Sequence, residues 1–282
     1  MELENKVSII TGGSRGIGKA IATLFAKEGS KIVLVSRTMS ELKKAKKEIE
    51  EVSPTRVEIA CSDVSKPEHV EQLVDYVLKE FSTIDILVNC AGTQGPIGLT
   101  QDVDTDKWLE TFLINLYGTY LCIKAVFPTM IKNKSGKIIC LAGGGAVSPR
   151  QRFSAYSASK GGVVRLVETL AQEVEEYNIC INSISPGAVN TKMLEEVLKA
   201  GEAAGEERIK AIKQKENGGT SPDKAAELSL FLASSKSDGL TGRLISAVWD
   251  NWRDIPQNLN TIMKTDIYTV RRLIPGDRGH NW

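Results

Sequence analysis

The feature that most constrains the fold of this chain is a regular alternation of short apolar runs with longer amphipathic segments. Runs rich in β-branched residues occupy positions 6–11, 31–36, 56–61, 84–89, 136–141 and 179–184. Segments with apolar residues at helical spacing separate them, at 16–28, 40–52, 66–81, 105–132 and 154–177. Strands that alternate with helices of this length pair in parallel through right-handed crossovers. The sequence therefore predicts a single doubly wound α/β domain with a mainly parallel sheet of about seven strands and ligands at the carboxyl ends of those strands.

The bulk composition excludes several classes of protein. The 282 residues are 41% hydrophobic and 25% charged, which is ordinary for a globular domain. A formal net charge of +1 predicts no nucleic-acid or anionic-membrane partner. The acidic N-terminal residues are followed directly by a predicted strand, so a signal peptide is not expected there. The five scattered cysteines indicate reduced thiols, so a cytoplasmic protein is expected. The only histidines, His69 and His280, lie too far apart in sequence to suggest a metal site.

A glycine-rich turn, TGGSRGIG at positions 11–18, joins the first predicted strand to the first predicted helix. Gly12 permits a tight turn, Gly16 lets the backbone approach a phosphate, and Gly18 lets the helix pack closely on the sheet. The free N–H groups and the positive dipole of the helix N-terminus would face the pyrophosphate of a dinucleotide. The predicted nucleotide-binding residues of this turn are Gly12, Ser14, Arg15, Gly16, Ile17 and Gly18.

The end of the second strand predicts the choice of dinucleotide. An acidic residue there would bind the ribose 2′-hydroxyl and select NAD. The sequence instead has Arg37 and Thr38, with a guanidinium that can pair with a 2′-phosphate. Arg15, inside the glycine turn, is a second candidate for the same phosphate. NADP is therefore the expected cofactor, with NAD as the other possibility.

Further motifs follow in a fixed order along the chain. After the glycine turn come Asp63-Val64, NCAG at 89–92, Asn115, YSASK at 156–160 and SPGAVNT at 185–191. Together they resemble the short-chain dehydrogenase/reductase family, whose Rossmann-type fold the chain would share over residues 1 to about 245. The resemblance implies that Asp63 and Val64 hold the adenine and that Asn89, Ala91 and Gly92 line the turn beside the adenosine ribose. It also implies that the nicotinamide carboxamide and the pyrophosphate are bracketed by Pro186, Gly187, Val189 and Thr191.

Tyr156 and Lys160 are four residues apart, so they share one face of a helix. A nearby ammonium would lower the pKa of a tyrosine from its usual value of about 10. Tyr156 would then be the general acid that protonates a carbonyl oxygen while a hydride reaches the carbon. The resemblance implies that Lys160 also holds the nicotinamide ribose and that Asn115 retains a water for proton relay.

One position departs from the family pattern. The family usually has a serine 13 residues before the tyrosine, where its hydroxyl donates to the substrate oxygen, and this chain has Gly143 there. Three interpretations remain open. In the first, glycine N–H groups or Ser148 supply the hydrogen-bond donor. In the second, the substrate itself or a lid supplies the polarising group. In the third, the protein binds a nucleotide with little or no catalysis. In a working reductase, restoring a serine at position 143 is expected to raise activity toward simple ketones.

Two segments lie outside this common pattern. Residues 190–217 follow a strand end and form either a substrate lid or a solvated helical excursion. Residues 249–282 extend the nucleotide-binding domain of residues 1–248. This extension, with Trp249, Trp252 and Trp282, is expected to pack on its own core or on a neighbouring subunit, or to close a substrate pocket. The family resemblance also implies a homodimer or homotetramer built on the two long predicted helices.

The sequence thus predicts an NADP(H)-dependent oxidoreductase that interconverts a carbonyl and an alcohol of a small molecule, with Tyr156 as general acid and base. The alternative is a nucleotide-binding protein with weak or no catalysis that acts as a binding or sensing module.

Overall fold

The computed structural model describes residues 1–280 of the chain, and within them seven strands form one parallel sheet. The strand order is β3-β2-β1-β4-β5-β6-β7, so the direction of winding reverses between β1 and β4. Ligands of doubly wound sheets bind at this switch point, beyond the carboxyl ends of the strands. The strands are β1 (Val7–Thr11), β2 (Lys31–Ser36), β3 (Val57–Cys61), β4 (Ile86–Asn89), β5 (Gly136–Leu141), β6 (Ile179–Ser185) and β7 (Leu244–Ser246).

The helices cover both faces of the sheet. They are α1 (Gly16–Lys27), α2 (Met39–Glu50), α3 (Pro67–Phe81), α4 (Thr105–Phe112), α5 (Gly118–Asn133), α6 (Ser154–Glu173), α7 (Lys192–Ala200), α8 (Glu206–Glu216), α9 (Pro222–Ala233) and α10 (Ile255–Met263). A π-helical turn (Leu113–Tyr117) joins α4 to α5, and 3₁₀ turns include Glu175–Tyr177, Gly201–Ala204 and Trp252–Asp254.

Two apolar clusters form the core, one on each face of the sheet. Phe25 of α1, Leu42 of α2 and Phe231 of α9 belong to the first cluster. Val77 of α3 and Val167 of α6 belong to the second. The central strands carry apolar side chains on both faces because helices cover both, which explains their continuous hydrophobic runs.

The structure confirms the predicted doubly wound α/β fold, and the elements differ from prediction in detail. The long helix predicted over 105–132 contains the π-helical turn, which places one extra residue per turn around Asn115. The helix predicted over 154–177 ends at Glu173, before a 3₁₀ turn. Among residues 1–280, no helix combines the length and the apolar character that crossing a bilayer requires.

The C-terminal extension packs on its own domain. Trp252, Ile255 and Ile262 are buried in the same cluster as α1 and α9. Leu244 N–H of the edge strand β7 donates to the Tyr268 carbonyl at 2.8 Å, so the extension also covers part of the sheet edge. Trp249 is 84% exposed, and Trp282 lies outside the described residues. Packing on its own core is therefore what the structure shows for the extension.

Candidate active site

The glycine turn has the backbone geometry that close approach to a phosphate requires. Gly12 has φ +65°, and a Cβ there would stand 2.9 Å from the amide nitrogen of Ala91. A Cβ on Gly18 would come within 3.0 Å of the Gly12 carbonyl, so α1 packs against this turn only because residue 18 is glycine. Helix α1 begins without a side-chain cap, which leaves its first N–H groups for an anionic ligand. The turn therefore fits a dinucleotide pyrophosphate.

The loop after β6 approaches the glycine turn from the other side. A Cβ on Gly16, which has φ +53°, would lie 3.4 Å from Cγ2 of Thr191. Gly187 has φ +85°, and a Cβ there would stand 2.6 Å from Cγ2 of Val248 and 3.2 Å from Oγ1 of Thr220. Val189 pairs with Thr220 in an isolated bridge, and Pro186 is buried. The structure thus brings the predicted Gly187–Thr191 loop to the pyrophosphate turn.

The ends of β1 and β4 are tied together by one hydroxyl. Thr11 Oγ1 accepts from the N–H groups of Cys90 and Ala91, both at 3.1 Å. Asn89 is buried, and its Nδ2 points to Cys140 Sγ at 3.7 Å. These contacts hold the NCAG turn in register with the glycine turn across the switch point.

The end of β2 holds an acidic group that the sequence analysis missed. Arg37 and Thr38 are exposed there, as an adenosine 2′-phosphate would require. Arg15, however, pairs with Glu41 at 3.1 Å, and Ser14 Oγ donates to the same carboxylate at 3.2 Å. Glu41 lies in the first turn of α2, where an acidic side chain is favoured by the helix dipole, and only the fold brings it to the glycine turn. Arg37 is therefore the better-placed cation of the predicted pair.

The predicted adenine residues follow β3. Burial alone would raise the pKa of the Asp63 carboxyl, but hydrogen bonds from Ser65, together with nearby Arg37, hold that pKa below its ordinary value. Ser65 donates to Asp63 Oδ1 through its backbone N–H at 3.0 Å and its hydroxyl at 2.7 Å. Val64 is buried, and a Cβ on Gly118 would stand 2.8 Å from its Cγ2.

Asn115, Lys160 and Gly92 meet at the carboxyl edge of the sheet. A Cβ on Gly92 would lie 3.2 Å from Asn115 Oδ1 and 3.6 Å from Lys160 Nζ. Asn115 is fully buried in the π-helical turn; its Oδ1 accepts from Thr93 N–H at 2.8 Å and its Nδ2 donates to Ser159 Oγ at 3.0 Å. Lys160 Nζ donates to the Leu141 carbonyl at 2.6 Å. The predicted site residues Asn115, Lys160 and Gly92 are therefore held in place by β4, β5 and α6 together.

The environment of Tyr156 corrects one expectation. Burial raises the pKa of the Tyr156 hydroxyl, and Arg150 opposes that rise in part. Burial likewise lowers the pKa of Lys160. Each group is pushed toward its neutral form because an apolar surrounding disfavours charge. The expectation that Lys160 lowers the pKa of the tyrosine is therefore not met by the structure.

The Tyr156 side chain lies directly beside the backbone of Gly143. A Cβ added to Gly143 would stand within 3.0 Å of the Tyr156 hydroxyl oxygen and 3.3 Å from Cζ. The tyrosine hydroxyl thus fills the space that a side chain at position 143 would need. On steric grounds this geometry argues against the expectation that a serine at 143 raises activity, which stays a prediction that activity measurements on the variant test. Ser148, the other predicted donor, is exposed and far along the same loop.

Residues 190–217 fold over the tyrosine. Leu194 and Val197 of α7, Ala204 and Ala211 pack with Phe153 and Tyr156 in a third apolar cluster. Arg150 Nε pairs with Glu207 Oε2 of α8 at 2.7 Å. This segment is therefore packed on the loop and helix that carry Tyr156 rather than projecting into solvent. We use the name lid for residues 190–217 because they pack over Tyr156.

A cavity of about 790 Å³ lies beside this cluster, between the β4–α4 loop, α4 and the lid. It is lined by charges of both signs, with Lys107, Lys199 and Arg152 among the cations and Glu110 and Glu196 among the anions. No described residue of the C-terminal extension lines this cavity.

Gln94 was also missed by the sequence analysis. It is 2% exposed, and its Nε2 has no hydrogen-bond partner among the described residues. It follows Thr93, whose backbone is held by Asn115, and precedes Gly95, where a Cβ would collide with Thr111. A single sequence carries no signal for such a residue, because an unpaired amide becomes visible only in the folded packing.

Comparison with known proteins identifies the family. The family model described as short chain dehydrogenase matches residues 6–202, and the chain belongs to this family. A 3-oxoacyl-(acyl-carrier-protein) reductase of Thermotoga maritima is 33% identical over 245 residues, covering 87% of this chain and 97% of that protein. The structure of an NAD⁺-bound xylitol dehydrogenase has a TM-score of 0.82 at 29% identity, covering 87% of this chain and 98% of that one.

The structure of an actinorhodin polyketide ketoreductase with NADPH has a TM-score of 0.78 at 27% identity, covering 86% of this chain and 95% of that one. Relatives of this chain thus include proteins with either nicotinamide dinucleotide. The predicted family resemblance is confirmed, and the protein is an NAD(P)-dependent oxidoreductase acting between carbonyl and alcohol.

Proposed function

We propose that the protein interconverts a small-molecule carbonyl and its alcohol with NADP(H), and that Tyr156 is the general acid and base. The observation that carries this proposal is the convergence of Asn115 and Lys160 on Gly92, beside a buried Tyr156 under the lid. When bound, the dinucleotide supplies or accepts the hydride. Tyr156 gives a proton to the substrate oxygen in reduction and takes it back in oxidation.

The raised pKa of Tyr156 supports reduction near neutral pH. Burial keeps the hydroxyl protonated, which is the form that donates to a carbonyl oxygen. Lys160 uses one N–H on the Leu141 carbonyl, which leaves its remaining N–H groups for the nicotinamide ribose. Asn115 is fully buried and bonded to Thr93 and Ser159, which would hold the β4 turn against α6 and fix the place of the relay water that the family resemblance implies.

Residues from five loops would hold the dinucleotide. The glycine turn would take the pyrophosphate, Arg37 the 2′-phosphate, Asp63 the adenine, the NCAG turn the ribose, and the Gly187–Thr191 loop the nicotinamide. The exposure of Arg37 supports NADP, because no carboxylate is paired with its guanidinium among the described residues. Glu41 weakens the case for Arg15, since the two already form an ion pair.

The donor that a serine would supply is proposed to come from the glycine backbone at 143–145 or from Ser148, and the buried amide of Gln94 is a further candidate. Its buried, unpaired Nε2 carries a cost that a ligand oxygen would remove. Replacing Gln94 by Leu should lower kcat/KM by about 10²–10³, the usual effect of losing one such donor, with little change in nucleotide affinity. Wild-type kcat/KM in that variant would assign the donor to the glycine backbone at 143–145 instead.

A second candidate is the binding or sensing module without turnover. The absence of a hydroxyl at Gly143 favours it, because the family's usual substrate donor is missing at that position. NADPH oxidation against a panel of ketones and aldehydes separates the two candidates. Tyr156→Phe should lower turnover by about 10²–10⁴ while NADPH affinity by fluorescence titration is maintained. Tyr177→Phe, at the end of the same helical segment, is the matched control. Tight NADPH binding with no turnover of any panel member supports the module.

The protein is proposed to be a homodimer or homotetramer in the cytoplasm. An exposed apolar row runs along α4, the π-helical turn and α5, with the Tyr117 and Tyr120 rings stacked at 6.2 Å. Leu113, 40% exposed in the middle of the row, would be covered by a second copy. Leu113→Glu should reduce the mass by light scattering, whereas Leu273→Glu in the extension should not. A monomeric wild-type protein at micromolar concentration would contradict this assembly.

A further inference from the structure

Arg150 occupies a place beside Tyr156 that neither the family resemblance nor the proposed mechanism uses. Its guanidinium carbon lies 3.8 Å from the ring centroid of Phe153 and 5.8 Å from that of Tyr156. It belongs to the loop between β5 and α6, which also contains the glycine run at 143–145. A Cβ on Gly145 would stand 3.3 Å from Arg150 Cβ, so the glycine run allows the arginine to fold back against the tyrosine.

The same guanidinium is bound by the lid. Arg150 Nε donates to Glu207 Oε2 at 2.7 Å, and the two side chains are only 20% and 19% exposed. Glu207 also accepts from Lys210, which is 70% exposed on the outer surface of α8. Burial alone would raise the pKa of Glu207, but the hydrogen bonds from Lys210 and Arg150 hold that pKa below its ordinary value. Glu207 is therefore a carboxylate at neutral pH, and the pair is ionic.

The other elements packed on Tyr156 contribute little charge. Ile97 of the β4–α4 loop and Leu194 and Val197 of α7 present apolar side chains to it. On its own helix, Lys160 directs its ammonium to the Leu141 carbonyl. Cys90, at the end of β4, disfavours ionisation of the tyrosine. Arg150 and, behind it, Glu207 are thus the charged groups that the lid and its neighbouring loop bring to the tyrosine.

We propose that Arg150 is a positioning residue that couples the lid to the proton transfer of Tyr156, with Glu207 of the lid setting how much of its positive charge the tyrosine experiences. This inference rests on the proposed function of Tyr156. A cation over the ring stabilises the phenolate, and a carboxylate bound to that cation offsets part of the effect. The two halves of one ion pair should therefore act on the tyrosine with opposite sign.

The test is the pH dependence of kcat/KM for alcohol oxidation, in which Tyr156 must be deprotonated to accept the proton. The rising limb of that profile follows the pKa of the tyrosine. In Arg150→Gln the cation is lost, and the limb should move to higher pH by about one unit. In Glu207→Gln the cation is no longer offset, and the limb should move to lower pH. Arg150→Lys retains the charge and should stay near the wild-type limb.

Lys210→Gln is the matched control, because it removes the exposed partner of the same carboxylate and leaves the Arg150 pair in place. Its limb should stay at the wild-type position. A purely mechanical latch predicts a different result: Arg150→Gln and Glu207→Gln would break the same bond and change the profile in the same direction. Shifts of equal sign, or no shift in either variant, would overturn the inference.

A second readout needs no turnover. The ultraviolet absorbance of tyrosinate, taken as the difference between each protein and the same protein carrying Tyr156→Phe, gives the titration of Tyr156 directly. Its midpoint should rise in Arg150→Gln and fall in Glu207→Gln. If the wild type oxidises no alcohol, the proposed function fails while this titration still decides whether Arg150 acts on the tyrosine.

Discussion

Replacing Gly143 by alanine adds a single methyl group at the point where this chain departs from its family. The new Cβ would stand within 3.0 Å of the Tyr156 hydroxyl oxygen, so the hydroxyl would have to withdraw by about 1 Å to reach an ordinary contact of 3.4 Å. The φ angle of Gly143 lies outside the left-handed region, so alanine fits the backbone there and the conflict is confined to the tyrosine.

Tyr156 cannot withdraw freely, because its ring is packed against Phe153 and the lid residue Leu194. A reacting group misplaced by about 1 Å costs on the order of 10²-fold in rate. At about 1.36 kcal/mol per factor of ten, this corresponds to about 2.7 kcal/mol of transition-state stabilisation. Gly143→Ala is therefore expected to lower kcat/KM for a ketone by about 10², and Gly143→Ser should lower it as well.

The assay is steady-state NADPH oxidation with one ketone that the wild type reduces, together with NADPH affinity by fluorescence titration. Affinity should remain within a few-fold, because the nucleotide motifs lie on other loops. The neighbouring glycine provides the control: a Cβ on Gly144 meets nothing within 4 Å, so Gly144→Ala should retain wild-type kcat/KM. Wild-type activity in Gly143→Ala, or a gain in Gly143→Ser, would refute the steric argument.

Three further predictions concern regions away from the tyrosine. Arg37→Asp should weaken the binding of NADPH and favour that of NADH. Glu41→Gln should free Arg15 and tighten NADPH binding up to about five-fold, since exposed ion pairs contribute about 0–1 kcal/mol. Fluorescence titration with both nucleotides measures these affinities, and equal affinities of the wild type for NADPH and NADH would contradict the prediction. Trp252→Ala should lower the free energy of unfolding by about 3–5 kcal/mol, because the indole is buried against the core, while the exposed Trp249→Ala should have little effect in the same urea titration. Cys61 should be alkylated first in the native protein because its thiol is exposed, and bound NADPH should protect it because the thiol touches the Arg37 carbonyl. Mass spectrometry that finds another cysteine modified first would count against this.

The thiols of Cys90 and Cys140 should be alkylated later than Cys61, in an order that depends on their pKa values. Burial raises the pKa of Cys90 to about 11 and that of Cys140 to about 12, so both remain thiols rather than thiolates at neutral pH. Only a thiolate reacts readily with an alkylating reagent. Raising the pH toward these values in the folded protein should increase the labelling of Cys90 before that of Cys140, and the order is measured by peptide mapping.

Much of the fold could be predicted from the sequence because its signals are local. Six of the seven strands and the helices between them follow from the period of the apolar residues within one window, without knowledge of any partner. The glycine turn is equally local, since the need for glycine at 12, 16 and 18 arises within one strand–turn–helix unit. Short strands at the sheet edge are harder to predict. β7 has three residues, and its pairing with β6 rather than its own apolar pattern defines it.

The same distinction between local signals and contacts made by folding applies to the candidate site. Tyr156 and Lys160 could be paired from their spacing alone, because a helix places residues four apart on one face. The environment that sets the acidity of Tyr156 could not, because it depends on burial and, in part, on Arg150, which is held by Glu207 from 57 positions further along the chain. The ion pair of Arg15 with Glu41 and the unpaired amide of Gln94 are likewise consequences of packing between distant segments.

The sequence by itself determined the class of this protein through the winding of the sheet and the dinucleotide turn, and it predicted Tyr156 as the proton-transferring residue. Only the tertiary structure showed that the Tyr156 hydroxyl stands in the space that a side chain at Gly143 would fill. The physical reason is that periodicity and glycine geometry act along the chain over a few residues, whereas steric exclusion, burial and charge act through space between residues that folding brings together.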